Sequence, residues 1–308
     1  MSLHVVVGAG ATGVATARQL ADSGEQVRLI TRRGSGPEHP GIERVTADAT
    51  DAERLTGLVG GASTLFNCAM PSYDRWPTDW PPLAAALLTA AERTGAGYLM
   101  LGNVYGYGPI DGPFTEDLPM APTTVKGRVR AKMWNEAVAA HHAGRVRVAE
   151  VRASDFLGAA AASVYTLMVL PLLLAGEPAA YPADLDAPHS WTYAGDAARV
   201  LIAVSQDDRS WGRPWHVPST TELGARELTT RLADVAGVAA GPAARLKRMS
   251  AEELDRMASA DSIMAEVVEM QYLFQQPLLL DSSQTEQAFG LRPTPLDEVL
   301  TETVKGTA

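Results

Sequence analysis

Three glycines spaced Gly8-x-Gly10-x-x-Gly13 follow the apolar run His4-Val5-Val6-Val7 and are the first residues of the chain whose spacing can do chemistry. The first glycine can take a tight turn, the second lets backbone approach a pyrophosphate, and the third lets a helix pack close to the preceding strand. Gly8, Gly10, Ala11, Thr12 and Gly13 are therefore candidate dinucleotide-binding residues, with a helix N-terminus facing the negative charge. The context the motif needs is present: a β-rich run precedes it, and good helix formers continue from Val14 to Leu20 before Gly24.

Further candidates lie at the ends of later expected strands. Gln26 to Ile30 reads as the second strand, and Thr31-Arg32-Arg33 follows it. A carboxylate there would hold a ribose 2′-hydroxyl, whereas Arg32 or Arg33 can pair with a 2′-phosphate, so the choice tilts to NADP over NAD. The pair also reads as an ordinary solvated loop. Asp48, after a third strand over Ile42 to Thr46, is placed either to reach an adenine edge or to cap the helix starting near Asp51. Asn67, Cys68 and Ala69 end the fourth strand, on the sheet edge where open α/β folds bind ligands. Cys68 reads as core. Asn103, Tyr105 and Tyr107 follow the fifth strand as hydrogen-bonding groups at the expected mouth, and Asp155 emerges after the sixth as an acid, a base or a loop acceptor.

Lys126 and Arg130 share one helical stripe with Met133 and Ala137, on a helix expected over Thr123 to Ala143, whereas Arg128 points elsewhere. Arg130 keeps its proton and acts as a hydrogen-bond fork. Lys126, if desolvated beside it, can transfer a proton; equally, both cations can anchor a cofactor or an acidic substrate.

The glycine turn, Asn67-Cys68-Ala69, Val104-Tyr105-Gly106 and the Arg152 to Gly158 segment together resemble the extended short-chain dehydrogenase/reductase superfamily, in its sugar epimerase and dehydratase branch. The glycine spacing is nearer to the atypical branch. The resemblance implies a doubly wound, mostly parallel α/β sheet (Rossmann) with a smaller C-terminal substrate domain. It also implies a homodimer pairing through helices that include the one bearing Lys126, and a catalytic Ser/Thr, Tyr, Lys set. Here Leu101 stands where the hydroxyl belongs, Lys126 where the tyrosine belongs and Arg130 where the lysine belongs. The usual triad cannot be carried over.

The expected division is residues 1–175 as the dinucleotide-binding domain, with a return at about 192–215, and 176–308 as mainly substrate-binding. Pro71 to Pro82 reads as a loop carrying Tyr73, Trp76 and Trp80, followed by a helix to Thr94. Ala159 to Ala175 reads as a long helix interrupted by Pro171, and Asp196 as the cap of a helix to Val204. Two or three helices are expected over Leu223 to Phe274. Trp76, Trp80 and Trp191 suggest an aromatic pocket wall, or simply core.

Composition narrows the partners. With 26 basic against 36 acidic residues the net charge is −10, which disfavours nucleic acid and anionic membranes as partners. No apolar run reaches the ~20 residues needed to span a bilayer, and no leader is evident, so a cytoplasmic protein with a small-molecule substrate is expected. One cysteine and six scattered histidines, with His141 and His142 read as surface, suggest neither a disulfide nor a metal site. The leading expectation is an NADP(H)-dependent oxidoreductase reducing a carbonyl or related double bond with a non-standard catalytic set. The alternatives are a non-redox isomerase, dehydratase or cyclase, and an NADP-sensing binding protein without catalysis.

Overall fold

The computed structural model describes residues 1–238 and 245–306; positions 239–244, within the expected helical stretch Leu223 to Phe274, lie outside them. The first half alternates strand and helix: β1 Leu3–Val7, α1 Ala11–Asp22, β2 Gln26–Thr31, β3 Ile42–Thr46, α2 Ala52–Val59, β4 Thr64–Asn67, α3 Trp76–Thr94, β5 Gly97–Asn103, α4 Val125–His142 and β6 Val148–Ala153. There follow β7 Asp155–Leu157, α5 Val164–Met168, α6 Leu170–Leu174, β8 Ala180–Tyr181, β9 Trp191–Tyr193, α7 Ala194–Gln206 and β10 Pro214–His216. The rest comprises α8 Ala225–Ala236, β11 Lys247–Arg248, α9 Ala251–Ala260, α10 Ser262–Glu269, α11 Ser283–Phe289 and α12 Leu296–Lys305.

Seven strands form one sheet in the order β10-β6-β5-β4-β1-β2-β3, and every pairing in it is parallel. Successive side chains of a strand face opposite ways, so Val5 and Val7 enter one core while Val6 enters the other. Leu55, Leu87 and Ala137 of α2, α3 and α4 cover the first face; Leu20 of α1 and Leu201 of α7 cover the second. This is the doubly wound α/β architecture expected. A third apolar cluster, including Tyr165, Leu173, Trp191, Leu228 and Val299, builds the body beyond the ends of β5 and β6. The chain order reverses at β1, with β2 on one side and β4 on the other, which opens a crevice at the carboxyl ends of these strands.

Several local expectations are corrected. The stretch read as a proline-rich loop is helical from Trp76 onward, with Pro77 in its first turn and Pro81 and Pro82 inside it. Prolines in a helix interior forfeit backbone hydrogen bonds. Trp76 and Trp80 in this helix are almost completely buried. The segment read as one helix over Ala159 to Ala175 is two single-turn helices, α5 and α6, the first held by a reciprocal Ser163–Thr166 cap. Asp196 is the third residue of α7 rather than its cap; its carboxylate accepts from the Thr294 backbone N–H (2.7 Å) and hydroxyl (2.6 Å), tying the C-terminal segment to α7. Asp51, not Asp48, caps α2.

Candidate functional site

At the switch point Gly8 has φ +103°, and a Cβ there would lie 2.5 Å from the Cys68 carbonyl oxygen. A Cβ on Gly13 would lie 2.1 Å from the Gly8 carbonyl oxygen. Both glycines are required by the fold itself. Gly10 differs: nothing lies within 4 Å of the position its Cβ would take. Gly10 is also the N-cap of α1, with no side-chain cap, and no acidic residue stands in the first turn. Ala11 and Thr12 start that turn, so its unpaired backbone N–H groups face the open space above Gly10, a cradle that a pyrophosphate fits.

Across the crevice, Asn67 is buried; its amide donates to the Tyr98 hydroxyl (3.2 Å) and its carbonyl accepts from the Ala69 N–H (3.2 Å). It thereby shapes the turn beside the glycines. Cys68 is core, as expected, and burial pushes its thiol up to about 12, so it is not a nucleophile. At the outer end, Asp48 accepts from the Thr50 N–H (3.0 Å) and hydroxyl (2.8 Å), and these bonds hold its carboxyl below the usual range. Arg32, which is exposed, adds to that lowering through its charge. Arg33 is exposed beside it.

The α4 stripe faces inward as expected: Lys126, Arg130, Met133 and Ala137 are all buried, while Arg128 is exposed. The Lys126 side chain has 0% exposure, and its ammonium pairs with Glu266 of α10 and lies 3.9 Å from Glu269. It also sits 4.3 Å from the centre of the Tyr73 ring. Arg130 is clamped between Trp76 and Trp80, 4.6 Å and 4.5 Å from the ring centres, and donates to the Leu101 carbonyl (3.4 Å). Burial lowers its pKa, and its Nε has no protein partner. That orphaned donor, beneath Met70 at the end of the β4 turn, suits a polar ligand group in the crevice.

Beyond these residues lies a cavity of about 550 Å³. Its polar corner holds Asn103, Tyr105, Tyr73, Ser154 and Asp155, and Trp76 forms part of the wall. The Asn103 carbonyl accepts from the Tyr105 N–H (3.2 Å), which leaves its amide nitrogen as the donor end. The Tyr105 and Tyr73 hydroxyls are 3.2 Å apart, and burial raises the pKa of both. Asp155 accepts from His189 Nε2 (2.9 Å), whose ring is nearly parallel to Phe274. The remaining wall is largely apolar, with Ser163 and Asp261 as its polar members, and is closed by α9 and α10, to which Met257, Met264 and Val267 belong.

Tyr107, expected at the mouth, is instead core: its hydroxyl bonds His216 Nε2 (2.7 Å) and its ring packs on Phe114. Trp80 and Trp191 are core as well. The structure thus brings Asn103, Tyr105 and Asp155 together at one cavity and keeps Lys126 and Arg130 behind its wall. Tyr73, His189 and Glu266 were not singled out for the site by the sequence; each is an isolated residue far along the chain from the partner it meets. Among the described residues no group of His, Cys, Asp and Glu could hold a metal, and no helix is long and apolar enough to cross a membrane.

A parallel doubly wound sheet with an open glycine turn at its switch point, leading to a cavity with groups able to hydrogen bond and exchange protons, defines an enzyme of the short-chain dehydrogenase/reductase type. The chain belongs to the NAD dependent epimerase/dehydratase family, which residues 4–217 match. Among solved structures it is similar to the Bordetella bronchiseptica enzyme WbmH in complex with NAD+ (18% identity, TM-score 0.78, covering 100% of this chain and 98% of that one). It is similar also to Thermotoga maritima UDP-glucose 4-epimerase with UDP-glucose (15%, 0.79, 99% and 98%) and to Bacillus anthracis dTDP-glucose 4,6-dehydratase in complex with NAD (17%, 0.78, 100% and 96%). No curated protein matches the sequence.

Proposed function

We propose that the protein is an NADP(H)-dependent oxidoreductase that reduces a carbonyl, or a related double bond, of a small molecule. The observation that carries this reading is the cavity itself, where Asn103, Tyr105 and Asp155 converge beyond the glycine crevice. A nicotinamide dinucleotide suits the open space over Gly10, the uncapped start of α1 and the orphaned Arg130 Nε. Arg32 favours the 2′-phosphate form, as no carboxylate stands at Thr31. When bound, the cofactor supplies the hydride.

The chain must then hold the carbonyl oxygen and deliver one proton to it. Burial keeps the Tyr105 phenol protonated at working pH, so it serves as a hydrogen-bond donor rather than as an acid, with the Asn103 amide as a second donor. Asp155, held by the hydrogen bond from His189 Nε2 behind it, is the carboxylate of this cavity placed to take part in the proton transfer. Lys126, neutralised by Glu266 and without exposure, serves to hold α10 against α4.

Fluorescence titration and NADPH absorbance test the reading together. NADPH should bind at least about tenfold more tightly than NADH, with Arg32→Ala erasing most of the difference, since a charge-assisted pair contributes a few kcal/mol at most. NADPH should be consumed when a neutral ketone is added. Equal affinity for the two cofactors would remove the NADP assignment, and ketone turnover without NADPH consumption would favour the isomerase alternative.

A further inference from the structure

We infer that the substrate is an uncharged, largely apolar carbonyl compound, and that the cavity excludes nucleotide diphosphates. This deepens the reductase reading and rests on it for the word carbonyl alone. No lysine, arginine or histidine lines the cavity, and the undescribed positions 239–244, Ala-Ala-Gly-Pro-Ala-Ala, contain no cation to add. A diphosphate carries charge that needs cationic forks or free helix N–H groups to replace water, and burying it unpaired is prohibitive.

The N-terminus of α10, at the cavity wall, is already taken. Asp261, itself a lining residue, caps α10 by accepting from the Ile263 N–H (2.7 Å) and the Met264 N–H (3.1 Å). With Asp155 it gives the lining two carboxyl groups and no cation, which repels an anion further. Lys126, paired with Glu266, and Arg130, buried between two tryptophans, do not line the cavity.

The apolar side of the cavity gives the positive half of the inference. Met168, Met257, Met264, Phe274 and Leu278 line it, and thioether side chains adapt to irregular apolar shapes. The rim is apolar too: Met70, Leu167 and Ile263 line the cavity while 59%, 66% and 39% exposed. Large aliphatic groups left in water around one opening mark a binding site for apolar matter. The volume, about 550 Å³, suits a ligand of ordinary small-molecule size. Its oxygen function would face the corner formed by Asn103, Tyr105 and Asp155.

Calorimetry on the full chain with saturating NADPH, using 1-tetralone and UDP-glucose as the two probes, tests this directly. The neutral ketone should bind at least about tenfold more tightly than UDP-glucose. Leu167→Arg, at an exposed rim position that can accept a cation without disturbing the core, should weaken 1-tetralone and narrow the gap. UDP-glucose binding as tightly as the ketone, or more tightly, overturns the inference. NADPH absorbance in the same cell separates the two readings: ketone binding without NADPH consumption supports the substrate class while removing the reductase assignment, and NADPH consumption with a preference for UDP-glucose does the reverse.

Discussion

At the residue scale the glycine turn and the Asp155–His189 pair make separable demands. A valine at position 10 places its side chain in open space, so Gly10→Val should leave the circular dichroism spectrum and melting temperature nearly unchanged while abolishing dinucleotide binding by calorimetry. Gly13→Ala forces a methyl group into the Gly8 carbonyl and should cost at least about 1–3 kcal/mol of stability in urea unfolding, whatever it does to binding. Asp155→Asn should lower turnover by roughly two to four orders of magnitude with little change in NADPH affinity, as expected for a group acting in a proton-transfer step. The glycine turn was legible in the sequence because its geometry is local, three glycines at fixed offsets between a strand and a helix. The Asp155–His189 bond was not, since the two residues are 34 positions apart and a single histidine in a loop carries no spacing signal.

At the element scale, α4 is fastened to α10 through buried charge. Lys126 of α4 reaches Glu266 and Glu269 of α10, the Val125 N–H also bonds Glu269, and Ser262 at the start of α10 donates to Asp74 (2.7 Å). These contacts fasten the helix pair that closes the cavity. Removing the ammonium strands two carboxylates about a quarter exposed, so solvent relieves part of the loss, and Lys126→Met should destabilise by about 1–3 kcal/mol. Hydrogen exchange should rise in α10 before it rises in the sheet, while a retained kcat separates this fastening role from proton transfer. The inward stripe was readable from its period, as was the outward Arg128. The body of α3 up to Thr94 was readable too, but its start at Trp76 was not, because Pro77, Pro81 and Pro82 signal a loop locally whereas Trp76 and Trp80 are buried within the helix.

At the scale of the whole molecule, the parallel sheet is joined to the cavity body by a buried polar contact that constrains pH stability. His216 on the edge strand β10 donates from Nδ1 to the Asp281 carbonyl (2.8 Å) and accepts from the Tyr107 hydroxyl through Nε2. Burial lowers its pKa to about 3, against an ordinary 6.5. The unfolded chain therefore binds a proton between those values that the folded protein refuses, so stability is lost as pH falls from 6.5 towards 3. Urea midpoints should decline steadily over the accessible part of that window, and the His216 imidazole should show no titration by NMR between pH 5 and 8. The alternation of strands and helices made the doubly wound sheet readable from sequence. The cavity was not, because its walls come from six or more distant segments that meet only in the folded chain. What the cavity does is tested most directly by isotope transfer, with NADPH deuterated at C4 of the nicotinamide and 1-tetralone as acceptor. A reductase yields NADP+ and the corresponding alcohol with one deuterium on its carbinol carbon for each NADPH consumed. Unconsumed NADPH, or an alcohol formed without deuterium from either labelled C4 epimer, would contradict the assignment.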